Sequence, residues 1–167
     1  MKGVTMRTFY SALAAIVFGL VFWLGPAGLD ASDMPPADGP ALYNYLTKQD
    51  PYEQWELWPG THAMQEGSRA HGEFVNIYVN KLALESIQAG QMPVQEGSIV
   101  LKENFDPSKT LTAVTLMYKK AGFDPDNGDW FYLSYAPDGT IQAEGKVGDC
   151  MDCHARVANK DWLFSWK

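Results

Sequence analysis

The sequence predicts an α+β domain built on an antiparallel sheet, with short helices at its flanks and a helix near the C-terminus. Three observations carry this. EFVNIYVN (residues 73–80) alternates Val75, Ile77 and Val79 with Asn76, Tyr78 and Asn80, the period of a half-buried strand. GSIVLKENF (97–105) and LTAVTLMYKK (111–120) are β-branched, apolar runs of strand length. WFYLSYA, a PDG turn and TIQAEGK (130–146) read as a hairpin. Four or five strands with few helices give an antiparallel sheet, not a helical bundle.

At the N-terminus, Lys2 and Arg7 precede an uncharged apolar run, FYSALAAIVFGLVFWLGPAGL (residues 9–29), and the chain then turns acidic and Pro-rich. That order marks residues 1–31 as an export signal, or as an N-terminal membrane anchor through residues 9–29 if it is retained. The implied location is the periplasm, an oxidising compartment. Removing residues 1–31 takes the net charge from −7 to −8, so nucleic acid and anionic lipid surfaces are poor partners.

Residues 32–40 read as a linker by their Pro, Gly and Asp content, and 41–167 as one folded domain that opens with a short helical stretch, ALYNYLTKQ. YEQWELWPGTHAMQEGSRAHG (52–72) is loop-like and pinned by Trp55 and Trp58. His62 and His71 fall within it and read as surface or propionate-facing groups ahead of iron ligands; Met64 and Met92 read as core fillers. KLALESIQAG (81–90) reads as a short helix stopped by Gly90.

DCMDCHAR (149–156) holds both cysteines of the chain. On a helix, Cys150, Cys153 and His154 fall at about 0°, 300° and 40° around the axis, so all three share one face. Asp149 suits the N-cap. Two thiols three residues apart and an adjoining imidazole fit the covalent attachment of haem c, with the cysteines as thioether anchors and His154 as proximal iron ligand. A disulfide or redox dithiol is the first alternative. A zinc site is the second, and it would need His62 or His71 in addition.

GSIVLKENFD, VTLMYKKAGFDPDNGDWFYLSYAPDGT and GKVGDCMDCHA together resemble the cytochrome P-460 family, which includes the cytochromes c′-beta, over about residues 52–167. The resemblance implies a five-stranded antiparallel sheet with flanking helices, a homodimer and one five-coordinate haem. It implies redox chemistry on hydroxylamine or NO, or else NO or CO capture without turnover. A simple electron-transfer role with a partner cytochrome is a third reading.

Residue by residue, the resemblance matches Lys102 to the lysine that hydroxylamine-oxidising members bond to the porphyrin edge. Read from the chain alone, Lys102 shares a strand face with Val100 and snorkels to solvent. Those members also keep a carboxylate above the iron on the strand matching LTAVTLMYKK. This chain has no acid there, and Thr115 stands nearest, so a proton acceptor would have to be Glu103 or a water. Phe74, Phe105 and Met117 are candidates for an apolar pocket lining, with core packing as the plainer account of each.

Overall fold

The computed structural model of the protein describes residues 31–166. The expected export segment, residues 1–31, therefore lies outside the described residues except for Ala31. Among the described residues no helix is long and apolar enough to cross a membrane.

One mixed-length antiparallel sheet organises the chain. Its strands are β1 (Glu56–Leu57), β2 (Gln65–Glu66), β3 (Phe74–Val79), β4 (Ile99–Phe105), β5 (Leu111–Lys119), β6 (Trp130–Tyr135) and β7 (Ile141–Gly145). The order is β1-β3-β4-β5-β6-β7, with β2 also paired to β3. The sheet thus has seven strands and not five. The two extra ones are two-residue strands on the β3 edge, too short to show an alternation in sequence.

Among the described residues three α-helices flank the sheet: α1 (Gly39–Asn44), α2 (Lys81–Gln88) and α3 (Gly148–His154). Asn80 starts α2. Its buried side chain accepts from the Ala83 and Ile99 amides at 3.0 and 2.9 Å and donates to the Gly97 carbonyl at 2.8 Å, which ties the helix to the start of β4. Gly90, at φ 64°, follows the end of α2 as the sequence suggests. The β4–β5 hairpin is closed by Asp106, whose Oδ1 accepts from Ser108 and Thr110, and β6–β7 by Gly139 at φ 86°.

The stretch expected as a linker is packed: Met34 is buried and the Pro35 carbonyl accepts from the Tyr118 hydroxyl at 2.8 Å. It caps the apolar cluster on one sheet face, where Leu42 and Leu46 meet Ile99, Leu101, Tyr118, Phe131 and Leu133.

The opposite face carries Val75, Ile77, Val79, Val100, Met117 and Tyr132. The C-terminal segment lies over it. Strand parity decides which residue faces which cluster: positions 75, 77 and 79 of β3, 100 and 102 of β4, and 115 and 117 of β5 all point toward that segment.

Candidate functional site

Helix α3 has Val147 at its N-cap with no side-chain cap, and Asp149, expected there, sits in the first turn. The one-face arrangement of Cys150, Cys153 and His154 holds, and all three line a cavity of about 330 Å³ between α3 and the sheet. A second lobe of about 550 Å³ opens beside it, and Trp58, His71, Lys102, Cys153, His154 and Phe164 line both.

His154 is buried and its Nδ1 donates to the Trp162 carbonyl at 2.6 Å. A carbonyl can only accept, so Nδ1 carries the proton and the Nε2 lone pair is free. Burial lowers the His154 pKa, Lys102 adds to the effect and the Trp162 carbonyl opposes it. The imidazole is therefore held neutral, as a metal ligand must be.

The Trp162 carbonyl is in turn fixed from two sides. Asp161 and Trp162 take left-handed backbone, at φ 51° and 60°. The Asp161 carboxylate is buried, pairs with Lys119, and accepts from the Val94 amide at 2.9 Å, while its carbonyl accepts from Trp130 Nε1 at 3.0 Å. Gly128, in the NGDW turn at φ 73°, lies under the Trp162 ring; a Cβ there would stand 2.5 Å from Trp162 Cε3. Gly128→Ala is expected to cost about 1–3 kcal/mol through its left-handed backbone alone, with the ring clash in addition. Thermal unfolding of the variant checks this.

Lys102, Thr115 and Ser134 form one row across β4, β5 and β6, in register. Lys102 is half-buried in the cavity wall instead of snorkelling clear. Burial pushes its ammonium down to about 8, opposed by Cys153. Burial, then Asp149 and Cys153, push the Cys150 thiol up. Both cysteines are free thiols, half-buried.

Met117 lines the cavity; Phe74 and Phe105 do not. They pair with each other in register, one position out of step with Val75 and off the cavity face of β4, so their rings project from the other side of the sheet. Parity removes Glu103 as well: its carboxylate accepts from Tyr52 at 3.1 Å and from Asn76 at 2.7 Å.

Three rings stand round His154: His71, read from the sequence as a surface or propionate-facing group ahead of an iron ligand, Tyr132, read as core or haem-edge packing, and Phe164, which the sequence did not single out. The His71, Tyr132 and Phe164 ring centres lie 6.4, 5.8 and 5.2 Å from its own. His71 Nδ1 meets Thr115 Oγ1 at 3.2 Å, and burial, followed by Lys102 and His154, lowers its pKa to about 3. His62 is exposed and, among the described residues, bonds only the Ala63 carbonyl. Nothing in the local pattern separates the two histidines.

The residues present fit a covalently bound haem. Two thiols and a free imidazole nitrogen share one wall of an apolar cavity, and Tyr132, which also lines it, has a buried hydroxyl that finds no hydrogen-bond partner among the described residues. Among the described residues no three His, Cys, Asp or Glu side chains gather as a metal cluster.

A family model described as Cytochrome P460 matches residues 49–165. Among curated proteins, none matches the chain.

Proposed function

Since the chain belongs to the cytochrome P460 family, and is thus a monohaem c-type cytochrome, we propose that it is an exported protein acting on small nitrogen species, hydroxylamine or NO. The observation that carries the reading is the shared cavity: α3 brings Cys150, Cys153 and His154 to one wall, and the sheet row of Lys102 and Thr115 forms another. The bound haem supplies an iron that exchanges electrons and takes a small ligand.

Each side chain then has a task. Cys150 and Cys153 fix the group by thioethers, and His154, its ring set by the Trp162 carbonyl, offers Nε2 to the iron. Met117, Val100 and Tyr132 exclude water. In the reactive form His154 would be the protein ligand of the bound haem, whose iron would be free to take substrate. Export is supported by the charge and apolar order of residues 1–31, with residues 9–29 as anchor if uncleaved. The family resemblance supports a homodimer, and a partner cytochrome would take the electrons.

Lys102 would join the bound haem through its amine nitrogen. Joining the amine nitrogen to a ring carbon removes one hydrogen from each and releases two electrons, so a two-electron oxidant such as peroxide is required. Burial supports this by favouring the neutral, nucleophilic amine. Lys102→Arg is expected to leave haem that cleavage of both thioethers releases; in the parent protein the haem stays on the chain. Intact mass after thioether cleavage checks this, and equal release from both proteins would remove the cross-link.

Capture of NO or CO without turnover is the second reading, favoured by one observation: Thr115 stands in the wall where an oxidase would keep a carboxylate. Anaerobic incubation of the oxidised holoprotein with hydroxylamine and an artificial electron acceptor separates the two. Acceptor reduction beyond one equivalent per haem is expected for the oxidase; its absence, with NO still bound, leaves capture.

A further inference from the structure

We infer that His71 is a second axial ligand of the iron, opposite His154, and that an incoming small molecule displaces it. The inference rests on the haem site proposed above and specifies what holds the sixth position before substrate arrives; the five-coordinate form is reached when His71 leaves.

The two ring centres lie 6.4 Å apart with their planes at 81°. About 2.0 Å from metal to imidazole nitrogen and about 1.1 Å from nitrogen to ring centre, taken on both sides, sets two imidazoles on one metal ion about 6.2 Å apart. Aromatic packing alone allows a similar separation, so spacing does not decide the matter.

The hydrogen bonds do. His154 is held by Nδ1 on the Trp162 carbonyl, and His71 by Nδ1 on the Thr115 hydroxyl. Among the described residues neither Nε2 has a protein hydrogen bond, and both histidines line both lobes of the cavity. An imidazole fixed through one nitrogen by an oxygen, with the other nitrogen free, is how ligating histidines are oriented.

The backbone brings His71 there. The turn Arg69–His71 ends at Gly72, φ 79°, where a Cβ would stand 2.5 Å from the Phe105 carbonyl oxygen, so the turn is seated directly on the end of β4. The side-chain tethers on the ring are neutral hydrogen bonds, to Thr115 at 3.2 Å and to Asn104, each weak enough for the ring to swing aside. Lys102 is the rival ligand, since its amine lines the same lobes.

The test is the spin state of the ferric holoprotein, read by optical absorption, EPR and near-infrared magnetic circular dichroism. A low-spin iron is expected, with the highly anisotropic EPR signal of perpendicular imidazoles and a charge-transfer band at the bis-imidazole position. H71A is expected to convert the iron fully to high spin, and added imidazole to restore low spin.

A high-spin wild type overturns the inference. So does a low-spin iron with the band of an imidazole–amine pair, or one lost in K102A and kept in H71A. If H71A does not incorporate haem, H71Q and the wild-type band position give the same decision. Failure here leaves the proposed function standing, since that reading fails only if no small ligand binds in either the wild type or H71A.

Discussion

Asp161→Ala is expected to lower the stability of the protein by about 3–5 kcal/mol, the cost of removing one member of a buried ion pair and leaving the other charge behind. Lys119 and Asp161 are both buried, at 8% and 6% exposure, so solvent does little to screen the loss. The carboxylate also accepts from the Val94 amide, which the variant strands without a partner. The ammonium of Lys119 lies 4.7 Å from the Trp130 ring centre, an attraction too small to replace the pair. Chemical denaturation of the parent and variant measures the difference. A change below about 1 kcal/mol would place the pair among solvent-screened ones. Because Asp161 precedes the residue whose carbonyl orients His154, the variant is also expected to bind haem with a disordered proximal ligand.

The second large effect concerns the thiols. Cys150→Ser with Cys153→Ser, combined with Lys102→Arg, is expected to abolish covalent pigment, so that denaturation in acid and organic solvent separates all haem from the chain. Each single cysteine variant should retain one thioether and a haem of shifted absorption. The free thiols lie three residues apart on α3 and line the same cavity wall as His154, so both can reach one edge of a planar group. Retention of pigment on the double cysteine variant would mean that Lys102 alone anchors the group.

What the sequence disclosed follows the range of the physics involved. Cys150, Cys153 and His154 were legible because their relation is local: helix periodicity alone puts them on one face. The five longer strands were legible because alternation repeats over several residues, whereas β1 and β2, at two residues each, repeat nothing. Phe74 and Phe105 were misplaced although the sequence contained the answer, since Val75, Ile77 and Val79 already fix the parity that turns both rings away.

Other features were beyond a linear reading. His71 reaches the site because the β2–β3 connection and Gly72 fold the loop back onto β4, a long-range event with no local signal. Asp161 looks like an ordinary surface acid until Lys119, 42 residues earlier, is brought beneath it. The expected linker was read from composition, which cannot see that Met34 has a core to fill.

The central claim is that the cavity between α3 and the sheet holds an iron that takes small nitrogen species opposite His154. Optical titration of the holoprotein, with NO on the reduced form and hydroxylamine on the oxidised form, tests it most directly. The expected result is a saturating spectral change with one ligand per haem for NO, and a change of the oxidised spectrum on hydroxylamine. Spectra that neither reagent alters, in the wild type and in H71A alike, would contradict it.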